Sequence, residues 1–214
     1  MITNLAIYGG TFCPIHWGHI RTARRAQQHM QFDQFSFLPC KAPVLDKQAE
    51  ATAEQRVDML RIALTSSPQF TLDLRELRRD TPSFMVDTLR DIRNQYGAKL
   101  PITLVIGMDS FLQLPRWHQW QELLELAHLL VLTRAEVKKF PCETLKKCIT
   151  LHQTKNKHML LEQAHGNIYF YNAGNYPISS SYIRKVIADG GSTHGLLPMA
   201  IRQYIDQNHL FQSF

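Results

Sequence analysis

Two hydrophobic periods take turns along the chain, one of about two residues and one of about 3.6, and their order predicts the elements. Leu5 to Tyr8 is a short apolar run that reads as a buried strand and stops at Gly9-Gly10. A helical pattern follows from about Gly18 to Gln31, with apolar positions at Ile20, Ala23, Ala26 and Met30. Phe35 to Leu38 reads as a second strand ending at Pro39. Thr52-Ala53-Glu54-Gln55 has the form of a capping box and opens a helix carrying Val57, Leu60, Ile62 and Leu64. Phe70 to Leu74 alternates like a strand. Thr81-Pro82 predicts a capped helix start with proline at the first helical position, and that helix should end at Gly97.

Ile102 to Ile106 is almost continuously apolar, as expected of a parallel strand covered on both faces. Leu123 and Leu124 sit in a short helix, Leu129 to Leu132 forms another buried strand, and Ile168 to Tyr171 is the last. Two helices close the chain, from about Ser180 to Ala188 and from about Pro198 to Gln207. Glu136 to Gly166 is polar and poorly patterned, the mark of a variable insertion or a subunit contact. The alternation predicts an α/β fold, a doubly wound and mostly parallel sheet. Residues 1–214 read as one domain with a small helical part from about 178 to 214. Ligands of such sheets sit at the carboxyl ends of strands, where Gly9-Gly10 and Gly107 both fall.

Composition narrows the class. With 214 residues, 44% hydrophobic and 20% charged, the chain is an ordinary globular protein large enough for a real core. Its apolar runs are too short to cross a bilayer and the N-terminus lacks a signal-peptide layout, so a cytoplasmic protein with no membrane partner is expected. Cys13, Cys40, Cys142 and Cys148 show no paired metal spacing and are expected as reduced thiols. A formal charge of +6 favours anionic partners. The basic residues are dispersed apart from short groups such as Arg21/Arg24/Arg25 and Lys138/Lys139, a weak case for nucleic acid and a better one for small phosphorylated molecules.

Candidate chemistry gathers in two segments. The first is Gly9-Gly10-Thr11-Phe12-Cys13-Pro14-Ile15-His16-Trp17-Gly18-His19. Glycines let the backbone approach a ligand closely, and a helix start offers free N–H groups and positive potential to phosphate. Two imidazoles three positions apart add donors for the same oxygens, so the segment points to chemistry on a nucleotide phosphate. Other readings stay open: a plain turn with surface histidines, a metal cluster of Cys13, His16 and His19 short of a fourth ligand, or a Cys13 nucleophile activated by His16. The second segment is Ile178-Ser179-Ser180-Ser181-Tyr182-Ile183-Arg184. Its serines are good caps, and Arg184 lies one turn on from Ser180, where a planar guanidinium suits a polyphosphate. Alone it would pass for an ordinary capped helix.

These residues carry a resemblance. Gly9-Gly10-Thr11-Phe12, Pro14, His16 and Gly18-His19 resemble the signature of the His-x-Gly-His nucleotidyltransferase superfamily, and Ile178-Ser179-Ser180 with Ile183-Arg184 resembles its C-terminal motif. Leu74-Arg75-Glu76-Leu77, Pro82-Ser83, Thr88-Leu89, Ile106-Gly107, Asp109-Ser110, Pro115, Trp117 and Leu196-Leu197-Pro198 are similar to bacterial nicotinate-nucleotide adenylyltransferases. The resemblance runs from about residue 5 to residue 211. It implies a Rossmann-like nucleotidyltransferase fold and a reaction of late NAD biosynthesis: ATP plus nicotinate mononucleotide gives nicotinate adenine dinucleotide and pyrophosphate. The mononucleotide phosphate attacks the α-phosphorus directly, Mg²⁺ accompanies ATP, and no protein side chain is expected as a metal ligand.

By the same resemblance His16, His19 and Arg184 are catalytic, with Gly9, Gly10, Thr11, Phe12, Gly18, Ile178, Ser179 and Ser180 around the ATP phosphates. Gly107, Asp109 and Arg134 border the adenosine. Trp117 suits stacking on the pyridine ring, backbone N–H groups near Met85 and His118 meet its carboxylate, and Thr88 and Lys41 fall on the substrate side. Three departures stand out. Cys13 occupies a position usually held by aspartate, and Leu45-Asp46 replaces the usual Pro-His and following basic residue, leaving Lys41 as a substitute phosphate contact. Ala135-Glu136 replaces a Pro-Gly. Alternative functions are another transferase of the superfamily acting on phosphopantetheine or a cytidine nucleotide, and a binding protein for nucleic acid or nucleotides. A homo-oligomer is compatible with all of these.

Overall fold

The computed structural model describes residues 2–44, 49–133 and 141–212. Six strands form one sheet, every pair parallel: β1 (Leu5–Gly10), β2 (Gln34–Pro39), β3 (Phe70–Leu72), β4 (Ile102–Gly107), β5 (His128–Thr133) and β6 (Ile168–Asn172). Their spatial order is β3-β2-β1-β4-β5-β6. Chain direction of the winding reverses between β1 and β4, so a crevice opens beyond their carboxyl ends, at Gly9-Gly10 and Gly107.

Strand side chains alternate between two cores. Ala6, Tyr8, Val105, Leu130 and Leu132 pack on one side of the sheet, and Leu5, Ile7, Leu104, Ile106, Leu129 and Val131 on the other. The first face is covered by α1 (Trp17–Met30) and α2 (Ala53–Leu64). The second takes α3 (Met85–Tyr96), α4 (Met108–Leu112), α5 (Leu123–Leu126) and α6 (Glu143–His152). The first face then receives α7 (Met159–Glu162), α8 (Ser180–Ala188) and α9 (Met199–Gln207). No helix among the described residues is long and apolar enough to cross a membrane.

Local signals hold where the chain obeys them. The capping box is made: Thr52 Oγ1 accepts from Gln55 N–H, and Gln55 Oε1 accepts from Thr52 N–H. Some boundaries differ from expectation. The helix foreseen at Thr81-Pro82 begins three residues later, at Met85, because Ser83 Oγ accepts the Lys41 N–H and the Phe84 ring stacks on His118. The stretch Glu136 to Gly166 contains α6 and α7 in its described part. Each has a single fully buried residue, Leu145 and Leu160, too thin a stripe to read as a helix. The third strand is also shorter than expected, since Leu74 already leads into a 3₁₀ turn over Arg75–Arg78.

One buried histidine sets a pH dependence. His128 on β5 is fully buried; Nε2 donates to the Gln163 carbonyl at 2.8 Å and Nδ1 accepts the Asn167 N–H at 3.0 Å. Burial pushes its pKa down from 6.5 to about 4. The unfolded chain therefore binds a proton between these values that the folded chain refuses, so stability is full above pH 6.5 and falls as pH drops toward 4. The loss is about 3 kcal/mol. Denaturant melts at pH 7 and pH 4.5 should show that much of the acid slope missing in His128→Leu, against a lower plateau.

Candidate active site

The loop after β1 is built by packing as well as by glycine flexibility. A Cβ on Gly10 would lie 2.8 Å from the Phe12 ring, and one on Gly18 would lie 2.9 Å from two atoms of the His16 ring and 3.5 Å from Ile178 Cβ. Phe12 takes a left-handed conformation at φ 49°, held by ring contacts with Tyr8, Phe37 and His19. The chain then passes a cis Cys13-Pro14 bond and enters α1 at His16.

His16 serves as the helix cap. It is 2% exposed, and its Nδ1 accepts the His19 N–H at 3.4 Å. While that bond stands Nδ1 carries no proton, so a neutral ring carries it on Nε2. The His19 ring stacks on His16 with centroids 3.7 Å apart and planes at 25°, which lines up two imidazoles along one wall.

The C-terminal motif closes on this loop. Ser179 caps α8 by accepting the Tyr182 N–H at 3.2 Å. The Ser180 hydroxyl donates to the Pro14 carbonyl at 3.0 Å, and Arg184 Nη1 donates to the Cys13 carbonyl at 2.9 Å. Segments 160 or more residues apart are thus joined by two hydrogen bonds and by Ile178 against Gly18. Two details differ from expectation. The Ser180 hydroxyl is spent on the loop, so its backbone is what remains for a ligand. Arg184 Nε is paired with Glu50 Oε1 at 2.6 Å, a partner sequence reasoning missed. Cys13 joins the site through its carbonyl; its side chain is buried, and all four cysteines are free thiols. Among the described residues no group of three His, Cys, Asp or Glu is placed to hold a metal ion.

Across the crevice, Gly107 caps α4 and a Cβ there would meet nothing within 4 Å, while exposed Asp109 sits in the first turn. Arg134, Leu45, Asp46, Ala135 and Glu136 lie outside the described residues. On the far side Met85 opens α3, half-buried Trp117 packs at the edge of the second core, and the exposed His118 ring stacks on Phe84 at 4.3 Å. Phe84 is a wall that sequence reasoning did not include.

Lys41 lines an open cleft of about 400 Å³ with Pro43, Thr52 and Arg56, and its Nζ reaches the Arg79 carbonyl and Asp80. Thr88 is a correction. It is wholly buried, its hydroxyl donating to Glu76 Oε1 and accepting from Arg79 Nη2, both at 2.6 Å, so it can act on a substrate only through the turn that carries Met85. Burial raises the pKa of the Glu76 carboxyl in that network.

The cytidylyltransferase-like family profile matches residues 7–186, a span that holds both motifs. A probable nicotinate-nucleotide adenylyltransferase of Legionella pneumophila (strain Lens) is 41% identical over 210 residues, covering 98% of this chain and 99% of its own. The chain belongs to the nicotinate-nucleotide adenylyltransferase family. A second family member, from Methylococcus capsulatus, is 39% identical over 208 residues, 97% of this chain and 99% of its own. A solved adenylyltransferase of the same name class, nicotinic acid mononucleotide adenylyltransferase of Plasmodium falciparum complexed with NaAD, shares the fold with a TM-score of 0.73 at 18% identity, over 98% of this chain and 97% of its own. As an adenylyltransferase family member the chain is a nucleotidyltransferase, with the Rossmann-like sheet its strand pattern predicts.

Proposed function

We propose that this protein transfers the adenylyl group of ATP to nicotinate mononucleotide, giving nicotinate adenine dinucleotide and pyrophosphate in the cytoplasm. The observation that carries the reading is the joining of the two motifs: His16 and His19 on one wall, Arg184 and the start of α8 on the other, tied through the Cys13 and Pro14 carbonyls. A mononucleotide phosphate oxygen forms a bond to the α-phosphorus as the bond to the pyrophosphate oxygen breaks. Nothing covalent is asked of the protein, so rate comes from positioning and from donors aimed at developing charge. His16 Nε2–H and His19 donate to α-phosphate oxygens. Arg184 and the N–H groups at Ser179-Ser180 hold the β- and γ-phosphates, exchanging Glu50 for phosphate. Mg²⁺ arrives with ATP as part of the substrate, and Gly107 and Asp109 border the ribose.

Selectivity for the acid follows from α3. Its N-cap, Phe84, makes no side-chain hydrogen bond to the first turn, so the N–H groups from Met85 onward suit a carboxylate. Trp117 and the Phe84–His118 stack form apolar walls for the pyridine ring. An amide would turn NH₂ donors toward N–H donors. Purified protein offered ATP with either mononucleotide should therefore prefer nicotinate over nicotinamide mononucleotide by roughly 100-fold or more in kcat/KM. Equal rates would refute the pocket assignment, and turnover only with phosphopantetheine or CTP would refute the substrate.

A further inference from the structure

Arg56 is among the largest fully buried side chains, 1% exposed, and no step above uses it. It projects from α2 into the joint between two segments. Nη1 donates to the Thr11 carbonyl at 2.9 Å, in the loop after β1, and to the Cys40 carbonyl at 2.8 Å, just past β2. Nη2 donates to the Lys41 carbonyl at 2.8 Å. Among the described residues its hydrogen-bond partners are these carbonyls and the Cys40 sulfur at 3.9 Å, none a carboxylate, and Nε is buried without a hydrogen-bond partner. A position that needed only filling would take leucine, as its face-mate Leu60 does, because burying a charge without a direct ion-pair partner is costly. What the charge obtains here is control of three peptide planes.

In a trans peptide the C=O and the following N–H point in opposite directions. The grip on Cys40 turns the Lys41 N–H away from Arg56, where it donates to Ser83 Oγ at 3.0 Å in the turn before α3. The grip on Thr11 turns the Phe12 N–H away in the same manner, at the residue whose left-handed backbone and ring set the His19 wall. One guanidinium therefore fixes the loop that leads to His16 and His19 together with the strand end that leads to Lys41 and Ser83. These are the ATP side and the acceptor side of the crevice.

We propose that Arg56 is a positioning residue for adenylyl transfer: it holds the Thr11–Phe12 peptide and the end of β2 in register, so that donor and acceptor phosphates meet in reacting geometry. The inference rests on the functional reading above. Misplacement by about 1 Å costs on the order of 100-fold in rate, with much less effect on binding of either substrate alone.

Arg56→Lys and Arg56→Met test it. Lysine keeps the charge but cannot span three carbonyls; methionine keeps only bulk. For each variant, melting temperature, kcat and both KM values per folded molecule, and the affinity of a non-hydrolysable ATP analogue are measured beside wild type. The expected result is folded protein, analogue binding within about fivefold of wild type and kcat lower by roughly 30- to 100-fold in both variants. Wild-type kcat in Arg56→Lys would overturn the proposal by showing that charge suffices. Unchanged kcat in both, or failure of both to fold, would overturn it by reducing Arg56 to a stabilising residue. A wild-type enzyme that makes no dinucleotide at all would instead contradict the functional reading, and the positioning role with it.

Discussion

His16→Asn is expected to leave α1 capped and remove turnover. In the proposed mechanism the ring does two jobs at once: Nδ1 accepts the His19 N–H, and Nε2–H would be the donor for the α-phosphate. Asparagine is a strong helix cap, so its side-chain carbonyl takes over the first job. It has no donor at the reach of Nε2, so kcat should drop by about 10²- to 10³-fold, the usual cost of losing one donor to a developing oxyanion. His16→Ala should lose the same rate and about 1 kcal/mol of stability as well. Melts and steady-state kinetics on the pair separate the two jobs. An asparagine variant with more than a tenth of wild-type kcat would remove His16 from the chemistry.

Arg184→Lys should be nearly as damaging as Arg184→Ala, each lowering kcat/KM for ATP by roughly 100-fold. The guanidinium is a planar fork fixed at one edge by Glu50 and at Nη1 by the Cys13 carbonyl. A lysine ammonium brings the charge without the fork. Stability should hardly move, because Glu50 is 53% exposed and such pairs contribute at most about 1 kcal/mol. Ser180 keeps α8 attached to Pro14 in either variant. A lysine variant at wild-type efficiency would mean that only the field of Arg184 is used.

What could be read from the chain was local. The Thr52 capping box, the strand that stops at Gly9-Gly10 and the helix from Ser180 to Ala188 each carry their signal within a few residues, and each forms as read. Thr81-Pro82 carries the same kind of signal and fails, because Lys41 claims Ser83 and His118 claims Phe84 from distant segments. Arg56 and Glu50 escaped for a related reason, since their partners lie 15 to 134 residues away and neither type suggests burial or catalysis. One sign of Arg56 was present. It shares a helical face with Leu60, so the apolar stripe of α2 contains a charge, and such a charge needs buried acceptors. Cys13 looked chemically important as a thiol beside the histidines, yet the fold uses its carbonyl to anchor Arg184.

Direct adenylyl transfer between the joined motifs can be followed by isotope tracing. Wild-type protein is given nicotinate mononucleotide with ATP labelled at the α- or the γ-phosphorus, then quenched during the first turnover. The α-label should appear in nicotinate adenine dinucleotide, the γ-label in pyrophosphate in equal amount, and none on denatured protein. Label retained on the protein, or release of ADP and phosphate in place of pyrophosphate, would contradict direct transfer.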